Sequence, residues 1–177
     1  SVPTGIQEGL GDGIELKDGS WGNLVRHNVI HDVKYPGIIV YDADGKEPNV
    51  IEGNLVFNGS DNGIQAAADA IIRNNLIFNC KGSGIYSRDH QSAVVGNLKI
   101  VHNTVLNEGK TALRLVAPAK GKYSGPVLVA NNGFYAGVAM QTPGSNFITF
   151  SGNAGQGNVL GGKLERKEWN GHGVRNR

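Results

Sequence analysis
Hydrophobic positions in this chain come in short runs that alternate with polar ones. No stretch keeps the spacing of an amphipathic helix. The runs recur. Gly-Ile or a relative stands at Gly13-Ile14, Gly37-Ile38, Gly63-Ile64, Gly84-Ile85, Ala112-Leu113 and Gly137-Val138, spaced 21 to 28 residues apart. Between them an Asn–apolar–Asn segment returns: Asn54-Leu55-Val56-Phe57-Asn58 becomes Asn75-Leu76-Ile77-Phe78-Asn79. Its first asparagine forms a column at Asn28, Asn54, Asn75, Asn103, Asn132 and Asn153. A second column runs Asp32, Asn58, Asn79, Asn107 and degrades at Ala136 and Gly157.

A repeat of this length, with two or three short strands and Gly/Asn corners, predicts an all-β parallel solenoid. About six coils are expected over residues 13–162, after a partial coil or cap at 1–12 and before a tail or cap at 163–177. The leucine framework of leucine-rich repeats is missing. Asparagine suits the corners because it tolerates left-handed backbone and its amide bonds nearby peptide groups. Stacked at the coil spacing of roughly 4.8 Å, such amides can also bond one another.

At this point the sequence resembles the right-handed parallel β-helix proteins of the pectate-lyase-like superfamily. The segments at 25–42 (VRHNVIHDVKYPGIIVYD), 49–58 (NVIEGNLVFN) and 70–79 (AIIRNNLIFN) look like repeats of bacterial secreted proteins of that type. The resemblance spans about residues 12–160 and implies an exported protein, secreted or periplasmic. It is specific for fold rather than chemistry, since the superfamily holds lyases, hydrolases, epimerases and proteins without catalytic activity.

Composition narrows the partners. The 177 residues carry a net charge of only +2, which gives no electrostatic case for nucleic acid. No run is long and apolar enough to span a membrane. The single cysteine, Cys80, excludes an internal disulfide and reads as a buried, inert thiol. His27 and His31 flank Asn28, but no third ligand accompanies them for zinc. The tail 163–177 holds five of the 17 Lys and Arg residues and Trp169, a candidate cap over the last coil. Solenoid ends expose strand edges, so end-to-end or heterologous protein contacts are expected unless something covers them.

Aligning the coils puts Glu15, Ile39, Gln65, Tyr86, Arg114 and Ala139 in one outward column. Lys17, Tyr41, Ala67, Arg88, Val116 and Gln141 form the next. This face is the candidate site for an acidic polysaccharide. Elimination at a uronate needs a cation for the carboxylate, a base for the α-proton and an acid for the leaving oxygen. Arg88 and Arg114 suit the first role, His90 or Lys17 the second, and Tyr41 or Tyr86 can stack a sugar or donate a proton. Gln65 and Glu15 complete the binding face. Asp42, Asp44 and Asp89 are candidates for calcium, with the loop 117–125 as a wall of the groove.

No Arg-x-Pro-x-x-Arg signature of pectate lyases occurs, and the paired carboxylates of glycoside hydrolysis are missing. Gly171-His172-Gly173 matches one polygalacturonase motif but stands alone in the tail. The alternative is a non-catalytic carbohydrate-binding or structural and assembly solenoid, as a module or fragment of a longer protein. The inside/outside assignment makes a prediction. Ile64→Asp should unfold the domain, because a buried unpaired charge is costly, whereas Gln65→Asp should cost little by thermal melting.

Overall fold
The computed structural model describes residues 11–167. Most of the expected caps at 1–12 and 163–177, Trp169 and His172 included, lie outside those residues. Within them every regular element is a β-strand. The strands wind through three faces, six times around. The first face stacks Ile14–Leu16, Ile38–Val40, Ile64–Ala66 and Ser83–Ser87, followed by the later halves of Thr104–Leu115, Gly133–Gln141 and Ala154–Leu160. The second stacks Leu24–Arg26, Asn49–Glu52, Ala68–Arg73, Gly96–Val101, Val127–Ala130 and Ile148–Ser151. The third stacks Val29–His31, Leu55–Phe57 and Leu76–Phe78, then the earlier halves of the three long strands. All pairing between these strands is parallel. From the fifth coil onward the corner between the third and first faces no longer interrupts the strand.

The core is a column of side chains on the coil axis. Ile38, Ile64, Ile85 and Leu113 stack from the first face. Ile51, Ile72, Ile100 and Val129 stack from the second. Val56, Ile77, Val105 and Phe134 stack from the third. All are almost fully buried in one continuous cluster, together with Cys80. The glycine of the Gly-Ile repeat is steric in origin. A Cβ on Gly37 would sit 2.7 Å from the Gly63 carbonyl oxygen and 2.5 Å from Val56 Cγ1. One on Gly63 would meet the Gly84 oxygen at 2.6 Å and Ile77 Cγ2 at 2.5 Å. The chain re-enters the first face where the next coil and the core wall leave no room for a side chain.

The first asparagine column is a continuous ladder inside the corner between the second and third faces. Each Nδ2 donates to the Oδ1 one coil on, at 2.9–3.0 Å, from Asn28 through Asn153. The same oxygens accept the backbone N–H of the preceding rung at 2.9–3.1 Å. The second Nδ2 hydrogen of Asn54, Asn75, Asn103, Asn132 and Asn153 goes to the carbonyls of Val25, Ile51, Ile72, Ile100 and Val129.

The left-handed backbone expected of these asparagines falls one residue earlier. His27, Gly53, Asn74, His102, Asn131 and Gly152 carry φ between 55 and 63°. The turn residue and the ladder residue are therefore separate, because the ladder side chain has to point inward while the turn points out. In the second column Asp32, Asn58 and Asn79 are themselves left-handed. Asn107 is not, and its buried Oδ1 accepts the Cys80 N–H at 2.8 Å.

Two expected positions are corrected. Gln65 is 4% exposed, so Gln65→Asp is now expected to destabilise. Ala139 is buried, because irregularities between Asn107 and Thr111 and between Tyr135 and Met140 shift the last coils. Gln141, not Ala139, stands beside Arg114.

The ladder predicts an uneven stability profile. Asn75→Ala leaves the Asn54 N–H buried without a partner, takes one donor from the Ile51 carbonyl and interrupts the ladder, and should cost about 2–4 kcal/mol. Asn28→Ala, at the half-buried first rung, should cost only about 1 kcal/mol. Urea midpoints at unchanged m-value measure both; equal losses would sink the idea that the buried rungs carry the register.

Candidate functional site
The outward columns of the first face do not form one continuous exposed surface. Between Ser83–Ser87 and Gly96–Val101 the chain makes an excursion over 88–95. His90 and Ala93 pair their backbones antiparallel within it, N···O 3.1 and 3.0 Å. The excursion folds back over the earlier coils: Ala93 packs in a small cluster with Ile39, Tyr41 and Ala67, all nearly buried. The His90 ring lies 4.4 Å from that of Tyr41. Tyr41 is therefore part of a covered surface rather than an open sugar platform. The apolar Ile39 and Ala67 at outward positions were the signal in the sequence that something covers them.

Asp89 anchors this excursion. One carboxylate oxygen accepts the Val95 N–H at 3.0 Å and the other the Ala119 N–H at 2.8 Å. The loop 117–125 thus braces the excursion and buries Tyr123, and it contributes nothing to the groove described below. Asp42 and Asp44 lie together near Asp69. Burial pushes the Asp42 carboxyl up, with the Asp44 and Asp69 charges adding to it. Asp89 does not join them. Among the described residues no three His, Cys, Asp or Glu side chains assemble as metal ligands.

Beneath His90 a short polar chain runs along the first coils. The Tyr41 hydroxyl donates to Glu15 Oε1 at 2.8 Å, and Lys17 Nζ lies 3.5 Å from Glu15 Oε2. Burial, then the hydrogen bond to Glu15 and its charge, push the Tyr41 hydroxyl up to about 12. It stays protonated and is committed to Glu15. Burial and the Glu15 charge also raise the Asp12 carboxyl. His90 moves the other way: burial first, then the Arg88 charge, hold its imidazole below the ordinary 6.5 despite Glu15 and Asp12 nearby. At neutral pH it is mostly an uncharged ring, with Arg88 on one side and the Glu15 and Asp12 carboxylates on the other. Cys80 is buried in the core, its thiol pushed up to about 11, and takes no part.

Past the excursion the first face opens into a groove of about 670 Å³. Tyr86 is its centre. The Arg88 guanidinium lies 5.9 Å from the centroid of that ring and the Arg114 guanidinium 5.6 Å, so the ring carries a cation from its own strand and one from the next coil. Pairing of Tyr86 with Gln65 on one side and Arg114 on the other fixes this spacing. Lys81 and Lys110 add two further cations at the corner, and Asp61 is the one carboxylate in the lining. Gln65 forms the floor, its Oε1 accepting from Asn62 Nδ2 at 3.2 Å. Of the residues expected at the site, the structure joins Arg88, Arg114, Tyr86 and Gln65 in this groove and sets His90, Tyr41, Glu15 and Lys17 beside it. Lys81 and Lys110 were missed because they lie on corners, outside the strand columns.

The sequence matches the family described as right handed β helix region over residues 6–154. The chain belongs to the right-handed β-helix family. Its three stacked parallel faces and its asparagine ladder agree with that membership. The solved complex of XylC with xylose is similar to this β-helix, with 15% identity and a TM-score of 0.42, over 77% of this chain and 30% of that one. This chain thus spans less than a third of the length of that structure's chain. No curated protein matches. No helix among the described residues is long and apolar enough to cross a membrane.

The state of His90 can be checked directly. Its NMR titration should show a midpoint below 6.5, and Arg88→Ala should raise that midpoint part of the way, since burial is the larger cause. The folded form takes up this proton less readily than the unfolded chain. The stabilisation is therefore complete above pH 6.5 and is lost as pH falls through the lowered midpoint. An ordinary midpoint in the native protein would mean that the excursion does not shelter the ring.

Proposed function
We propose that this β-helix binds an acidic polysaccharide along the first face, with uronate carboxylates held by Arg88 and Arg114. The observation that carries the reading is the Tyr86 ring flanked by two guanidiniums in a groove with four cations and one carboxylate. A chain of net charge +2 has little positive charge to spare, and here it is concentrated on a small area. Guanidinium pairs with carboxylate through two parallel N–H···O bonds, and an aromatic face packs on the apolar side of a sugar ring. Such polymers occur outside the cytoplasm, so an exported protein goes with this reading.

Cleavage by β-elimination is a second reading, favoured by His90. An imidazole kept neutral by burial and by Arg88 is ready to accept the proton next to a uronate carboxylate, whose developing charge the arginines would offset. As the carbon–carbon double bond forms, the glycosidic C–O bond breaks and the leaving oxygen takes its proton from Tyr86 or water. Tyr41 then acts as a positioning residue, holding the imidazole from below while Glu15 holds Tyr41. Lys17 is tied to Glu15 and is the weaker candidate for the base.

Titration calorimetry against polygalacturonate and alginate oligomers, with and without calcium, tests the first reading. Arg114→Ala should weaken binding about ten- to a hundred-fold, the size of one or two charge-assisted hydrogen bonds, and added salt should do the same. Binding that ignores both would reject it. Ultraviolet absorbance of an unsaturated product, lost in His90→Ala while binding persists, separates the lyase from the binder.

A further inference from the structure
A second groove lies on the other side of the same corner, and its chemistry is the reverse of the first. It occupies about 740 Å³ on the outside of the third face. Its base is apolar: Phe78, Leu106 and Tyr135. Phe78 ends a stack in which His31, Phe57 and Phe78 follow one another at 5.0 and 4.9 Å, nearly parallel. Stacked rings of that kind show their edges to solvent. Tyr135 is different. A Cβ on Gly133 would lie 3.2 Å from Tyr135 Cε2, so the ring leans over the bare backbone of Gly133 while lining the groove. The rim carries Asn79, Gln156 and Asn158 amides with Glu108, and the lining has no Lys or Arg.

We propose that this second groove binds a neutral sugar unit, and that the preferred polymer is a heteropolysaccharide in which neutral sugars accompany the uronates. An apolar floor with a ring laid along it fits the C–H face of a pyranose, and planar amides on the rim fit its equatorial hydroxyls. The absence of cations in this lining distinguishes it from the basic groove. Gly109 and Gly137 line both grooves, so only backbone separates the two at the corner. A Cβ on Gly109 would meet nothing within 4 Å, which leaves the crossing open. One glycan can place an acidic unit against Arg114 and a neutral neighbour or branch against Tyr135. The inference rests on the acidic-polysaccharide reading for its second half only.

Calorimetry on the intact protein tests both halves separately, with gellan (whose uronates are separated by neutral sugars), polygalacturonate and neutral cellohexaose as probes. Wild type should bind gellan about tenfold more tightly than polygalacturonate. Tyr135→Ala should abolish that preference and any cellohexaose binding while leaving polygalacturonate unchanged; Arg114→Ala should weaken both acidic polymers and spare cellohexaose. Cellohexaose binding without polygalacturonate binding would reject the acidic reading and keep the neutral groove. The proposal fails if wild type shows neither the gellan preference nor cellohexaose binding. It fails as well if Tyr135→Ala weakens polygalacturonate equally, or if that variant changes the mass in solution, which would make the face a contact between copies. Tyr135→Phe, keeping the ring, should retain the preference.

Discussion
The asparagine N–H groups at the buried corner of this solenoid meet no backbone carbonyl, and leaving such a group bare costs about 1–3 kcal/mol. The right-handed β-helix described here meets that constraint with one side chain per coil. Each buried asparagine takes the backbone N–H of the rung before it and gives one amide hydrogen to a carbonyl and the other to the next rung. The same bonds that satisfy the corner also tie each coil to its neighbour in one register. With the register set, Ile38, Ile64, Ile85 and Leu113 are forced into one file on the axis, and the residues before the first three, Gly37, Gly63 and Gly84, have no room for a side chain. A slip by one residue would invert every strand and bury the polar set.

A fixed register also turns the outside into a grid, with one strand position per column and one coil per row. Chemistry gathers where the grid is interrupted. The excursion at 88–95 roofs the first coils and brings His90 onto Tyr41. The irregularity between Asn107 and Thr111 makes the ridge of Glu108, Gly109 and Lys110 that divides a basic groove from an apolar one. Neither interruption disturbs the ladder, which continues through Asn103 and Asn132 on the far side of the coil. A regular scaffold and irregular insertions are thus kept at different corners.

Electrostatically the two sides of the excursion differ. Toward the first coil, Asp12 and Glu15 place carboxylates near a buried surface, where burial and then the Glu15 charge raise the Asp12 carboxyl, and the protonated Tyr41 hydroxyl is committed to Glu15. Toward the later coils, Arg88 and Arg114 crowd one aromatic ring. His90 sits at the junction. Its neutrality results from burial and Arg88 outweighing Glu15 and Asp12, so it reports the balance between the two sides.

The repeat of Gly-Ile and Asn was enough to determine the fold class, the number of coils, the core file and the ladder, because these depend only on what recurs at a fixed spacing. Arg88, Arg114 and Tyr86 were legible as neighbours for the same reason: pairing in register places them there. Spacing could not show where a non-repeating segment folds. Tyr41 read as exposed, but the excursion covers it, and no spacing showed that the Asp89 oxygens accept the Val95 and Ala119 amides. The bulge that moved Gln141 into the place expected for Ala139 leaves no periodic mark either. By itself the sequence determined everything that parallel stacking repeats from coil to coil. Only the tertiary structure decided what covers what, because loop contacts join residues whose separation follows no period.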